Sequence, residues 1–424
     1  MKVLFTQDAL INAGTERSNL ELISRFSREI DVSLVYFYPR HELKEQYQKA
    51  GIRLFFLDIQ ESYDFHLAIY RLIRLIKKEK PDLLVSSLWR ADIITRVASW
   101  ITGVTLVGTL VNDGYAPIAW TDKKGLKYKI VYWLDRLTAG IPKHWIANAE
   151  ALAESHVNTL GLEKQKISVV YRGRSIPETS WRKIGIYGSV KGKVSLVGTE
   201  REQGLGNRWE DSNRQGLDGN QEGKQVNFIS YGRLLERKGF QDAINAFSKV
   251  IQKYPNCTLT IFGEGTYRRE LERSVHYLGL ENNIFLPGKI SDPSSILTSN
   301  SQLYSDFHRT SDIGHPATFH CFLFPSWYEG FSGALVEAMM AGIPIIASNI
   351  PMNLEAVNPE TALIFEVQDS KQLARQMIFA IEHPDLMKKL GANARNEGIE
   401  RFDIEKIAKQ YEETLKGFLM SLKN

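Results

Sequence analysis

Two glutamates eight positions apart, Glu329 and Glu337, frame the stretch best equipped for chemistry: Phe324-Pro-Ser-Trp-Tyr-Glu329-Gly-Phe-Ser-Gly333-Ala-Leu-Val-Glu337. An apolar run ends at a loop holding the first Glu, and Gly330, Phe331, Ser332 and Gly333 then open a helical pattern that carries the second. Free N–H groups and the dipole at such a helix start suit a diphosphate, and glycines let it approach the backbone. Glu337, inside the helix, is placed to accept both hydroxyls of a ribose, and Glu329 to reach a sugar beyond the phosphates. An ordinary strand-turn-helix with two solvated carboxylates has the same local pattern. The sequence contains no Asp-x-Asp triplet of the kind that holds Mg or Mn on a diphosphate. It has no G-x-x-x-x-G-K-[ST] phosphate loop and no G-x-S-x-G elbow. Its nine histidines show no H-x-x-x-H spacing suited to zinc, so no metal site is expected.

These residues need a scaffold. Short β-rich runs at 3–6, 32–38, 52–57, 83–87, 105–110, 145–147 and 167–171 read as strands apolar enough to be buried on both sides. Stretches of period 3.6 lie between them, such as Leu67, Ile69, Leu72, Ile73, Leu75 and Ile76. This alternation predicts a parallel sheet with helices on both faces, and Ser18-Asn-Leu-Glu21 reads as a capping box that starts the first helix. Periodicity fails over 175–224, where ten of the 31 glycines crowd between Gly173 and Gly223; this reads as a linker or insertion. Strand patterns resume at 226–231, 258–262, 321–324, 343–347 and 363–365, with a second irregular stretch at 291–320 and a long helical pattern at the end. The expected organisation is a first Rossmann-like domain over 1–172, a Gly-rich polar linker over 173–225, a second Rossmann-like domain over 226–402 and a terminal helix over 403–424. Two such domains place a cleft at the carboxyl ends of both sheets, where this topology binds ligands.

Composition fits that organisation. The 424 residues are 43% hydrophobic and 24% charged, as in soluble globular proteins, and a net charge of +4 is too weak to argue for nucleic acid. Cys257 and Cys321 form no disulfide framework. The apolar start breaks off after five positions and no run of eighteen apolar residues occurs, so a cytoplasmic chain is expected.

The segment from Glu329 to Glu337 resembles the E-x7-E motif of the retaining, nucleotide-sugar-dependent glycosyltransferases of family 4, and the likeness extends over most of the chain outside the two irregular stretches. Tyr231-Gly-Arg233-Leu-Leu-Glu-Arg-Lys238-Gly-Phe resembles the family's segment after the first strand of the second domain, where an Arg and a Lys grip the donor diphosphate. A guanidinium fork and an ammonium charge supply the neutralisation that a departing nucleoside diphosphate requires. Asn12-Ala-Gly14-Thr-Glu16-Arg17 is similar to the glycine loop facing the phosphates. Gly263-Glu264-Gly265 resembles a donor-side loop, and Pro287-Gly288-Lys289-Ile290 the segment whose backbone recognises the nucleobase. Two departures stand out. Many relatives place a His near the reacting sugar where this chain reads Val111-Asn112-Asp113-Gly114; Asn112 and Asp113 either position the acceptor or form a turn. The phrase after Tyr171 is usually Asn-Gly, an apolar residue and Asp, whereas this chain reads Arg172-Gly173-Arg174-Ser175.

The resemblance implies an α/β protein of GT-B architecture, two Rossmann-like domains with parallel sheets facing across a cleft and the final helix packing back on the first. It implies a metal-independent hexosyltransferase that moves a sugar, with retention, from a UDP- or GDP-sugar to a saccharide or lipid-linked acceptor in cell-surface polysaccharide, lipopolysaccharide or glycolipid synthesis. The nucleotide-sugar is the donor substrate, with no cofactor tightly bound. Arg233, Lys238, Glu329 and Asp113 are then the expected catalytic residues, and Gly14, Gly263, Ile290, Gly330, Phe331, Ser332, Gly333 and Glu337 the donor-binding ones. Residues 1–172 carry 24 Lys and Arg against 19 Asp and Glu. Clusters at Arg71, Arg74, Lys77, Lys78 and Lys80, and at Lys123, Lys124, Lys127 and Lys129 beside Trp120, Tyr128, Tyr132 and Trp133, read either as solvated helix faces or as a peripheral contact with the inner face of the cytoplasmic membrane. A catalytically silent nucleotide-sugar-binding protein and a GT-B nucleotide-sugar epimerase fit the same residues.

Overall fold

The β-branched and aromatic runs of the first part form strands β1 (Lys2–Gln7), β2 (Asp31–Tyr36), β3 (Arg53–Phe56), β4 (Leu83–Ser86), β5 (Leu106–Leu110), β6 (His144–Ala147) and β7 (Ile167–Val169). Between them lie helices α1 (Gly14–Ile23), α2 (Lys44–Lys49), α3 (Phe65–Glu79), α4 (Trp89–Thr102), α5 (Leu126–Thr138) and α6 (Glu150–Leu160). The second part repeats the alternation with β8 (Val226–Tyr231), β9 (Thr258–Phe262), β10 (Ile284–Gly288), β11 (Phe319–Phe324), β12 (Ile345–Ser348) and β13 (Leu363–Phe365). Its helices are α7 (Phe240–Lys253), α8 (Arg268–Leu278), α9 (Gly333–Ala341), α10 (Pro351–Ala356), α11 (Ser370–Glu382), α12 (Pro384–Phe402) and α13 (Ile404–Ser421). This computed structural model describes residues 1–60, 64–115, 117, 119, 125–177, 226–290, 296–297 and 319–422. Most of the irregular stretches at 175–224 and 291–320, with Trp120, Lys123 and Lys124, lies outside the described residues.

Each part is one parallel sheet, ordered β3-β2-β1-β4-β5-β6-β7 and β10-β9-β8-β11-β12-β13. In both, the order reverses beside the first strand, between β1 and β4 and between β8 and β11. Chains leaving neighbouring strands at such a point diverge to opposite faces and open a crevice at the carboxyl ends. The loops that follow β1, β8 and β11 therefore carry Gly14, Arg233 with Lys238, and Glu329 with Gly330 to the rims of two crevices.

The two parts pack together. One apolar core takes Leu110, Trp145, Ala149 and Leu152 from the first and Tyr231, Phe331, Met339 and Met352 from the second. The chain crosses back at its end, and α13 buries Ile407, Tyr411 and Leu415 against Val3, Phe5 and Ile23 of the first part. At the crossing, the Arg174 N–H donates to the Phe402 carbonyl (2.9 Å) and the Ile404 N–H to the Arg174 carbonyl (3.1 Å).

Three local expectations are corrected. Ser18 is no capping-box residue: α1 starts four residues earlier, after Ala13, and the Ser18 hydroxyl donates to the Gly14 carbonyl inside the helix (2.6 Å). A hydroxyl can bond back one turn as readily as it caps, and the Asn12-Ala13-Gly14 turn sets the start. Strands β3 and β7 are not buried on both faces, because they are the edges of their sheet. Strand β10 stands outside the expected strands; it pairs with β9 with a register shift between Phe285 and Gly288, as an edge strand with a proline can.

Truncating Leu415, which is fully buried under the first sheet, to Ala should cost about 2–5 kcal/mol by transfer and cavity terms. Amide exchange should then quicken in β1 and α1 while β8 and β9 stay protected, and uniform exchange rates would contradict the docking of α13 on the first part.

Candidate functional site

The loops after β8 and β11 are stitched to each other by backbone and side chain. The Trp327 N–H donates to the Arg237 carbonyl (2.8 Å), the Trp327 indole N–H donates to Asp242 (2.6 Å), and the Arg237 guanidinium lies 4.9 Å from the Tyr328 ring centre. On the other side, the Gly232 N–H donates to the Phe262 carbonyl (3.0 Å) and the Leu234 N–H to the Glu264 carbonyl (2.9 Å). Gly263, at φ 147°, sits so close to the Gly232 carbonyl that a Cβ would overlap it. Its observed role is to brace the Arg233 loop. Ile290 packs partly buried against the shared core.

Held this way, Lys238 reaches across and bonds the Glu329 carboxylate, which also accepts from the Ser326 hydroxyl (2.9 Å) and has Arg237 at 3.9 Å. Burial alone would raise the Glu329 carboxyl. The Lys238 and Arg237 charges and the bonds from Lys238 and Ser326 outweigh it and hold the group below the usual carboxylate range. Glu329 is thus a fixed anion in a dry loop, with oxygen lone pairs left to accept from a ligand hydroxyl.

Eight residues on, Glu337 is engaged on both oxygens, by Arg174 Nε (2.7 Å) and the Tyr231 hydroxyl (2.6 Å). Arg174 comes from the connection after β7, is 5% exposed, and also meets the Ser18 hydroxyl (3.1 Å) and the Glu21 carboxylate (3.8 Å) of α1. Its guanidinium lies against Gly333, where a Cβ would overlap it, and Gly330 lies equally close to the Val111 carbonyl and Asn112. The Phe331 N–H faces the Asn148 side-chain oxygen (3.4 Å), and the Phe331 ring is buried against Tyr171 and Phe402. Ser332 precedes α9 without a side-chain cap. The helix opening read as a diphosphate seat is therefore covered by the first part in this conformation, and its glycines make that close approach sterically possible.

The structure brings Lys238 onto Glu329 with Arg233 in the field of that carboxylate, and sets the 330–333 segment and Glu337 under the first part at the start of α9. Gly14 faces the cleft from the other side, 3.8 Å from Arg172 measured at its Cβ position. Asp113 is turned toward α6, where it accepts from the Ser155 hydroxyl (2.7 Å), while its neighbour Asn112 abuts Gly330. Arg233 is exposed and its side chain makes no hydrogen bond or ion pair among the described residues; it sits in the field of Arg237, Glu329 and Glu16. Glu16, 4% exposed, is pushed up to about 7 by burial, opposed by its own backbone N–H, reinforced by Asp8 and opposed by Arg233 and Arg172. The pairing of Arg174, the placement of Arg172 and the burial of Glu16 depend on which segments meet at the crossing, and no local spacing announces them.

The sequence matches two family models in succession, Glycosyltransferase Family 4 over residues 13–176 and Glycosyl transferases group 1 over residues 212–397. It is 24% identical over 354 residues to a capsular polysaccharide biosynthesis glycosyltransferase, CapM, of Staphylococcus aureus, covering 83% of this chain and 81% of that one. It is 23% identical over 344 residues to the UDP-Gal:alpha-D-GlcNAc-diphosphoundecaprenol alpha-1,3-galactosyltransferase of Escherichia coli, covering 80% and 76%. A glycosyltransferase of Methanocaldococcus jannaschii is 28% identical over 224 residues, 45% of this chain and about half, 49%, of that protein's length. Among solved structures, HepE of Anabaena superposes with a TM-score of 0.71 at 19% identity, over 98% of this chain and 100% of that one, which shows the shared fold. With two parallel-sheet halves and both family models in the family's order, the chain belongs to the GT-B glycosyltransferases of family 4.

Proposed function

We propose that the protein transfers a hexose from a UDP-sugar, with GDP as the alternative base, to a saccharide or lipid-linked acceptor, with retention and without a metal. The observation that carries this reading is the convergence of Arg233 and the Lys238–Glu329 pair at the switch point of the second sheet. UDP is favoured because the Escherichia coli relative uses UDP-Gal and HepE is solved with UDP-glucose. The carbon–oxygen bond of the donor breaks toward the β-phosphate, which takes the electron pair. Arg233 and the free N–H groups of Lys238 neutralise that charge. Glu329 holds a sugar hydroxyl, Glu337 the ribose once the cleft admits it, and Asn112 with Asp113 shapes the acceptor side. The acceptor oxygen attacks the anomeric carbon on the face the diphosphate leaves, and its proton passes to the departing phosphate. Cell-surface polysaccharide or glycolipid synthesis is the setting the CapM and galactosyltransferase relatives suggest.

The lipid-linked acceptor has a second support. Among the described residues no helix is long and apolar enough to cross a membrane. However, Leu126, Ile130, Trp133, Leu134 and Leu137 are exposed along one stripe of α5, with Trp100 and Ile101 exposed at the end of the adjacent α4. Exposed Lys129 and Arg136 flank the stripe, the arrangement of a helix lying in an anionic interface.

Arg233 offers the cleanest test because removing an exposed, unpaired side chain leaves no buried partner stranded, as Lys238→Ala would. Arg233→Gln should lower kcat/KM about 100-fold or more with an unchanged Tm, and turnover at the native rate would remove it from the site. In the same assay, proton NMR should show a product of the donor's own anomeric configuration; an epimerised donor, or binding without turnover, would favour the alternative classes. For the membrane contact, the native chain should sediment with phosphatidylglycerol vesicles and the double variant Trp133→Ser, Leu137→Ser should not, at equal transfer to a soluble acceptor. Failure of the native chain to bind vesicles would refute that contact.

A further inference from the structure

We propose that Arg172 is a third cation of the diphosphate site, supplied by the first domain, so that the leaving group is held from both sides of the cleft. The inference rests on the reading that this cleft binds a nucleoside-diphosphate sugar. Arg172 stands three residues beyond Val169, the last residue of the edge strand β7, in the phrase Arg172-Gly173-Arg174-Ser175 that departs from the family's pattern.

Its backbone direction is fixed. The following residue, Gly173, lies so close to the Ile404 Cα that a Cβ would overlap it, and Arg174 is bonded on both its N–H and its carbonyl to the Phe402–Ile404 crossing. The Arg172 side chain then runs to α1, where Nη1 lies 3.8 Å from the Cβ position of Gly14. That is the loop facing Arg233 and Glu329 across the cleft. An arginine whose backbone is fixed before the ligand arrives loses less freedom on binding.

The surroundings leave Arg172 without an anion. It is partly buried, yet its guanidinium makes no hydrogen bond or ion pair with any described residue. The charges it feels are Arg174, Glu329, Glu337 and Glu21, together with Glu16. Glu329 is taken by Lys238, and Glu337 by Arg174 and Tyr231; the Glu21 carboxylate lies beside Arg174. Burial, with Arg174 alongside, pulls the Arg172 guanidinium down to about 10, which leaves it charged at neutral pH. A partly desolvated cation with no partner is costly. A diphosphate entering between Gly14 and Arg233 would supply the missing charge and the fork-shaped acceptor pair that an Arg fits. Arg174, satisfied on several sides, is not available for that role.

The test compares UDP with UMP, by calorimetry, on the native chain, Arg172→Asn, Arg172→Lys and Arg233→Gln. Arg172→Asn restores the residue type the family usually carries there and should fold. It should weaken UDP about tenfold or more and UMP distinctly less, and should lower kcat for transfer about 100-fold. Arg172→Lys should recover part of the UDP affinity, since charge returns without the fork. If the native chain binds neither UDP nor GDP, the nucleotide-sugar reading itself fails. If the native chain binds UDP, Arg233→Gln weakens it, and Arg172→Asn binds and turns over as the native chain does, only the assignment of Arg172 is overturned. Equal losses for UDP and UMP with no recovery in Arg172→Lys would likewise overturn it, since that pattern belongs to a residue that shapes the fold.

Discussion

One buried ion pair holds the cleft in the form described: Arg174 to Glu337, between segments 163 residues apart. Both groups are withdrawn from water, which costs several kcal/mol per ion and is offset only when the remaining donors and acceptors are satisfied. They are satisfied by Ser18, the Gly173 carbonyl and Glu21 around the guanidinium, and by Tyr231 on the second carboxylate oxygen. The guanidinium also lies at the start of α9, where the helix dipole disfavours a cation. The Glu21 and Glu337 carboxylates together make that position tenable. The Glu337 carboxylate is also the group proposed to hold a ribose, so the domain contact and the proposed donor site share one residue.

Around this pair the two domains are joined by weaker contacts. Glu355, on α10, accepts from the Glu150 N–H (2.8 Å) and the Ala151 N–H (2.5 Å) at the start of α6, which makes it an N-terminal cap supplied by the other domain. Asn148 meets the Phe331 N–H, and Lys289 reaches Glu42 (3.3 Å) at an exposed edge. A cap or neutral bond of this kind contributes about 1 kcal/mol and an exposed ion pair less. In the proposed function, a nucleotide-sugar would supply or exchange increments of this size on entering the cleft.

How much of this was legible in the sequence follows from how local each feature is. The Glu329 to Glu337 spacing, the glycines at the start of α9 and the Arg233–Lys238 pair lie within single strand-loop-helix units, so residue types and period suffice to find them. The parallel α/β class was likewise readable, because interior strands buried on both faces leave uninterrupted apolar runs. Of the edge strands, β10 escaped behind Pro287, and β3 is too exposed to match its expected burial. Ser18 misled because a hydroxyl before an apolar run has the same spelling whether it caps a helix or bonds back within one. The parts of the site that depend on the chain crossing, Arg172, Arg174, Glu16 and Glu355, had no signal beyond one departure from a familiar phrase. The partners of Arg174 and Glu355 across the cleft lie more than a hundred residues away.

The central claim is that cations of the chain, contributed at both faces of the cleft, carry the charge of the departing diphosphate. The most direct measurement is the rate of sugar transfer from a UDP- or GDP-sugar after exhaustive dialysis against EDTA, compared with the rate after Mg or Mn is returned. Equal rates are expected. A rate that collapses on chelation and recovers with the metal would contradict it.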